Sequence, residues 1–222
     1  MIGCLGVAYQ TIRASRAESK ANVAALEFII EDVLGSNGSQ TSTGYSPDPN
    51  LKLLILLKNA SNEVDEKFAD EPELKARMKS TLANLFNSVG KYDDARRLYN
   101  DYLAYLEANN GPNDPDTIEV MRELVRLNIE ESRFGDAEEL GTKALQNSRT
   151  YLGTEHSITL LLLSDLAMLH HKMGDTSRAV EAYEQVIETR QRTLGESHPT
   201  TLTTVSDLAT VLDSEGRYEE SQ

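Results

Sequence analysis

Tryptophan is absent from the 222 residues, and aromatics of all kinds make up only 6%. Strand faces draw heavily on aromatic and β-branched side chains, so this composition fits helix far better than sheet. A single cysteine, Cys4, excludes an internal disulfide framework and leaves the redox compartment undetermined. Basic residues are also scarce: 22 Lys and Arg face 36 Asp and Glu, a formal charge of -14. That balance opposes attraction to phosphate backbones and anionic lipid surfaces, so nucleic acid is not an expected partner. Long apolar runs are missing too. The apolar opening, residues 1–9, is less than half of the about 20 residues that span a bilayer. No basic residue precedes it and no small-x-small site follows, unlike a secretory signal. It is either an ordinary helix start or the end of a membrane helix with Arg13 and Arg16 as interfacial anchors.

What is present is repetition. Leu194-Gly195-Glu196-Ser197-His198-Pro199-Thr200-Thr201 recurs as Leu152-Gly153-Thr154-Glu155-His156-Ser157-Ile158-Thr159 and as Asn110-Gly111-Pro112-Asn113-Asp114-Pro115-Asp116-Thr117, at a step of 42 residues. A second ladder with the same step of 42 lies half a period away: Gly90-Lys91-Tyr92, Ser132-Arg133-Phe134, Gly174-Asp175-Thr176 and Gly216-Arg217-Tyr218. A period of this size marks an array whose units bury their apolar faces on one another.

Helical spacing of apolar residues, Pro at helix starts and Gly at helix ends predict helices over 12–34, 49–68, 72–89, 92–109, 115–131, 135–151, 157–173, 177–194 and 199–215. Asp48 is the expected N-cap before Pro49, and Leu53, Leu54, Leu57, Val64 and Phe68 the buried stripe that follows. Residues 35–49 lack periodicity and read as a linker, which divides the chain into an N-terminal helical segment (1–34), the linker and an array (50–222). Within each unit, small or apolar pairs (Leu82-Ala83, Leu124-Val125, Leu166-Ala167, Leu208-Ala209) on the first helix face Ala95, Ala137 and Ala179 on the second. The unit is an antiparallel helix-turn-helix pair and the class all-α. The last copy begins at Gly216 and reaches Gln222, so a second helix of about 18 residues is expected to continue beyond it and cover Leu202, Val205, Leu208, Val211 and Leu212.

HEAT and armadillo units share this range of periods, but the Gly-x-aromatic turn with the Leu-Ala and Ala positions resembles a tetratricopeptide repeat, whose usual period is 34. That resemblance implies a right-handed superhelical array. The Leu-Gly-x-x-His-Pro-x-Thr connection and the 42-residue step are similar to the tetratricopeptide domain of kinesin light chains and related bacterial repeats, over about 72–222. Asn110 stands where the pattern has Leu, Asp114 where it has His, and Ser132 where it has Gly. A further resemblance covers 53–99, with Phe68-Ala69-Asp70-Glu71-Pro72-Glu73-Leu74-Lys75-Ala76, to the segment between the membrane helix and the repeats of bacterial receptor-like Ser/Thr protein kinases. It implies a sensory or scaffolding region attached to a kinase domain. This stretch itself carries no His-Arg-Asp or Asp-Phe-Gly triplet and no phosphate loop, so no catalytic residues are assigned and no enzyme activity is expected of it.

His170 and His171 point about 100° apart on a helix, with no His or Cys at i+3 or i+4, so neither a metal nor any other cofactor is expected. His156 and His198 stand where a polar side chain satisfies the free N–H groups of a helix start. Acidic pairs such as Glu138-Glu139 read as solvated faces. Carried over from the tetratricopeptide resemblance, the concave groove comprises Ser80, Asn84 and Asn87; Arg122, Arg126 and Ile129; Ser164, Met168, His171 and Lys172; and Thr203, Ser206 and Thr210. Its basic and amide groups favour a protein or peptide partner, an acidic one in particular. The competing reading pairs Arg122 and Arg126 with Glu119, Glu123 and Glu130 on their own helix. Membrane contact is expected only through residues 1–20, which makes the location cytoplasmic, or membrane-anchored by a single pass if residues 1–9 end a longer helix. In the second case those residues have no place in the repeats. Deleting residues 1–21 is then expected to leave the thermal midpoint almost unchanged, whereas a fall of many degrees in calorimetry assigns them to the repeat packing.

Overall fold

A computed structural model describes residues 49–214. These form eight helices and no strand: α1 Pro49–Lys67, α2 Pro72–Ser88, α3 Tyr92–Asn109, α4 Pro115–Glu130, α5 Phe134–Tyr151, α6 Ser157–Lys172, α7 Thr176–Leu194 and α8 Pro199–Ser214. The fold is an all-α helical repeat array, and each boundary falls within one residue of its expected place. The readings of residues 1–34, of the linker and Asp48 cap, and of the copy starting at Gly216 lie outside the described residues.

Two joints alternate along the chain. Between the first and second helix of a unit, Gly90, Ser132 and Gly174 take positive φ of 71°, 59° and 80°. The next N–H, of Lys91, Arg133 or Asp175, then turns back to the carbonyl of Phe86, Asn128 or His170 at 2.8 Å in all three cases. This closes the end of the first helix by the left-handed capping geometry that favours Gly.

Between units, Gly111, Gly153 and Gly195 adopt φ of 93°, 100° and 97°. Their carbonyls accept from the hydroxyls of Thr117, Thr159 and Thr201 at 2.8, 2.7 and 3.0 Å. The start of the next helix is capped by the 42-step residues Asp114, His156 and His198. Each accepts the N–H two residues on, at 3.0, 3.3 and 3.3 Å. The histidines therefore act as helix caps through Nδ1, in the role a carboxylate fills in the first copy.

The chain divides into two compact units, 1–105 and 106–222. In the first, Leu57, Ala60 and Val64 of α1, Met78, Leu82 and Phe86 of α2, and Leu98 and Tyr99 of α3 are buried. Leu53 is not; it is 39% exposed, so the expected stripe of α1 is carried by Leu57, Ala60, Ser61 and Val64. Lys79 of α2 bridges Asp65 of α1 at 2.9 Å and Asp101 of α3 at 2.7 Å. Burial opposes its charge, but those two carboxylates outweigh it and raise the lysine above its ordinary range.

In the second unit successive helices α4 to α8 pack in order, and α4 also packs against α6, which sets consecutive first helices side by side. Ile118, Met121, Val125 and Leu127 of α4, Leu162, Leu166 and Leu169 of α6, and Tyr183 and Val186 of α7 fill its core. Each such side chain contributes roughly 1.5–3 kcal/mol. Gly141 in mid-α5 leaves the room that Leu166 and Val125 occupy: a Cβ there would stand 2.7 Å from Leu166 Cδ2. On α8, Val211 and Leu212 are buried while Leu202 and Val205 are 54% and 41% exposed.

Ser132 is the described non-Gly residue with positive φ, a conformation that costs an L-residue about 1–2 kcal/mol. Glycine removes that cost and loses about 0.5–1 kcal/mol through the freer unfolded chain. Ser132→Gly is therefore expected to gain about 0.5–1 kcal/mol in urea unfolding, and Gly174→Ser to lose a similar amount. Equal stability of Ser132→Gly and the parent chain contradicts this account of the joint.

Candidate functional site

The face to be judged is carried by the first helix of each unit. On α4 the i, i+3 and i+4 spacings bring Glu119, Arg122, Glu123 and Arg126 to one side. The neighbouring first helix, α6, adds Asp165. Arg122 lies at the centre, its side chain only 10% exposed. Its Nε and Nη2 donate to Glu119 Oε1 at 3.2 and 2.8 Å, Nη2 also to Glu123 Oε1 at 2.8 Å, and Nη1 to Asp165 Oδ2 at 3.0 Å. Arg122 thus pairs with Glu119 and Glu123 along its own helix, as the competing reading has it, and it also ties α4 to α6.

Three carboxylates share that one guanidinium. Glu119 Oε2 is shut off from solvent with no hydrogen-bond partner. Arg126 stands 3.6 Å from Glu123 with its side chain 48% exposed. Burial works against the Arg122 charge, but the Glu119 hydrogen bond and the surrounding carboxylates outweigh it and raise its pKa. Asp165, 13% exposed, is pushed up to about 6, first by burial and further by Glu123, against the pull of Arg122 and Arg126. Tyr183 of α7 is raised in turn by burial and by the charges of Asp207 and Asp165.

The other expected groove residues sit as follows. Met168 and His171 are half-buried on α6, and Lys172 is exposed at its end. Among the described residues no ion pair or side-chain hydrogen bond engages Lys172. Ser164, Thr203 and Thr210 turn their hydroxyls back to Leu160, Pro199 and Ser206 carbonyls of their own helices, at 2.9, 3.0 and 3.0 Å. Ile129 is buried in the core. In the first unit, Asn84 is exposed and its Oδ1 accepts from Tyr99 Oη, while Asn87 and Ser80 are half-buried.

Asp165 was absent from the expected set. The signal for it lay in the 42-residue step, which aligns Glu123, Asp165 and Asp207 as an acid immediately before each Leu-Val or Leu-Ala pair. Glu138 likewise departs from a solvated face: Arg178 holds it at 2.9 Å and Asp175 at 2.6 Å. That cluster lies beside His170, whose pKa is lowered by burial and by Arg178. Elsewhere a cleft of about 360 Å³ opens between α5, α6 and α7, lined by Arg149, Leu160, Leu163, Gln185, Glu188 and Thr189 among others, and includes none of the expected groove residues. No group of three or more metal-ligating side chains, and no helix long and apolar enough to cross a membrane, occurs among the described residues.

The sequence model of the family described as Tetratricopeptide repeat matches residues 74–150, 123–192 and 159–222. Among solved structures, the chain is similar to BtubC (BKLC) from P. vanneervenii, with a TM-score of 0.60 at 19% identity over 96% of this chain and 85% of that one. It is also similar to the nearly identical TPR-like repeats of a putative kinesin light chain from Podosopora anserina. The TM-score there is 0.62 at 20% identity, over 94% of this chain and 90% of that one. A point variant of the same protein gives 0.63 at 21% identity with the same coverage. At these identities the likeness concerns the fold alone. No curated protein matches the sequence.

The raised pKa of Asp165 has a sign for stability. Between its ordinary 3.8 and about 6, the native chain holds a proton that the unfolded chain has released. The stabilisation is full below about 4 and lost as pH rises through 6. On going from pH 4 to 7 the parent chain is expected to lose on the order of 2 kcal/mol more than Asp165→Asn. Parallel pH profiles of the two in urea unfolding contradict the assignment.

Proposed function

Because the chain belongs to the tetratricopeptide repeat family, we propose that it is a protein-interaction scaffold whose protein or peptide partner lies along the face carried by α4, α6 and α8. The observation that carries this reading is the pairing of two exposed cations, Arg126 and Lys172, with the half-buried Met168 and His171 on the first helices of adjacent units. Apolar and sulfur-bearing surface beside a cation suits an extended segment that alternates apolar and acidic side chains. The partner is therefore read as acidic.

Arg122 takes a supporting role here. With four N–H groups engaged by Glu119, Glu123 and Asp165, it holds the face together, and Arg126 and Lys172 make the charged contact. Asn84 and Asn87, on the first helix α2 of the other compact unit, are proposed as binding residues of that unit by itself.

The test is titration calorimetry with a synthetic peptide of alternating Glu and Leu. Binding is expected to weaken steeply as salt rises, and Arg126→Glu to weaken it by at least about 1 kcal/mol through repulsion and loss of a charged hydrogen bond. Equal affinity of the parent chain and Arg126→Glu removes the assignment.

A further inference from the structure

We propose that Asp165 makes the partner-binding face proton-sensitive: ionised, it tips the cluster around Arg122 to net negative charge and disfavours an acidic partner, and protonated, it brings the cluster to neutrality and lifts that repulsion. The inference rests on the binding reading above and adds its regulation.

The geometry supplies the argument. Glu119, Glu123 and Asp165 gather on Arg122, with Arg126 3.6 Å from Glu123, so three acids meet two guanidiniums. One proton brings that cluster to neutrality. Which acid takes it is decided by environment. Glu119 and Glu123 side chains are 38% and 20% exposed, whereas Asp165 is 13% exposed.

Glu119 Oε2 is shut off too, but that carboxylate takes two bonds from Arg122 through Oε1 and its side chain is otherwise the most open of the three, so burial puts the proton on Asp165. The charges acting on Asp165 are Arg122, Arg126 and Glu123 of α4, and Tyr183 of α7 feels Asp165 and Asp207 in turn. Neutral Asp165 still offers Arg122 Nη1 a carbonyl oxygen, so the link from α4 to α6 persists while the charge goes. Its titration near 6 places the change between neutral and mildly acidic conditions.

The experiment uses the full chain and the Glu-Leu peptide, whose own carboxylates stay ionised above about pH 5. It is run on the parent chain and, in parallel, on His171→Gln, in which the imidazole contributes no charge change. NMR follows the Asp165 carboxyl carbon and the Arg122 Nε signal from pH 4.5 to 7.5. The expected result is that both signals move with one midpoint near 6, and that the peptide binds about five-fold or more tightly at pH 5.5 than at 7.5, as the competent fraction rises. Asp165→Asn, which keeps an acceptor for Arg122, is expected to bind tightly and equally at both.

An Asp165 carboxyl that stays ionised to pH 4.5 overturns the proposal whatever the peptide does. Titration near 6 with unchanged affinity overturns it and leaves the binding reading standing. Absence of binding at every pH overturns both.

Discussion

From α2 onward the architecture depends on a backbone constraint that recurs about every half repeat: at each of these reversals one residue enters the left-handed region so that the carbonyls of the helix just ended find donors. The three 2.8 Å bonds from Lys91, Arg133 and Asp175, identical despite different side chains, show that the backbone sets the angle between the two helices of a unit. The Thr hydroxyls on the Gly111, Gly153 and Gly195 carbonyls do the same for the step between units. Packing then selects side chains that fit this frame. Gly141 is the plainest case, because the close approach of Leu166 leaves no space for even a methyl group.

Once the frame is set by backbone, side chains at equivalent positions are free to diverge, and the buried polar groups show how far. Ser148 and Arg190 stand 42 residues apart. Ser148 shares a hydrogen bond with Thr159. Arg190 reaches instead to the Thr200 carbonyl at 3.0 Å and to the Thr204 hydroxyl. The ion pair at the start of the second helix changes polarity between units: Arg133 bonds Asp136 in one, and Asp175 bonds Arg178 in the next. The hydrogen bonds of Ser148 and Arg190 meet the requirement burial imposes, whereas the two ion pairs lie on the exposed surface. A repeat thus conserves geometry while its chemistry varies from copy to copy.

That separation explains what could be read from the sequence. Helix ends were legible because Pro, Gly and the capping residues act locally, and the histidine caps followed from position alone. The stripe of α1 was misjudged at Leu53 because helical periodicity allows more than one face and only the tertiary partner chooses. The candidate groove residues were legible as positions on the first helices, apart from the buried Ile129, and poorly legible as a set of charges. Arg126 and Lys172 are exposed as expected. Arg122 is enclosed by three carboxylates, one of them 43 residues away on another helix, which no local spacing could disclose.

On the proposed reading, the enclosure of Arg122 bears on function more than on stability. Replacing the pair with apolar side chains would satisfy the core equally well, since buried charges rarely stabilise relative to well-packed hydrophobic residues. What a buried guanidinium with three carboxylates does provide is a surface charge that depends on one proton, close to the exposed Arg126. The joints from α2 onward are each closed by hydrogen bonds to backbone carbonyls. On the proposal made above, altering the charge of this face is a route by which the array changes what it binds, and α4 and α6 place that charge where two consecutive repeats pack together.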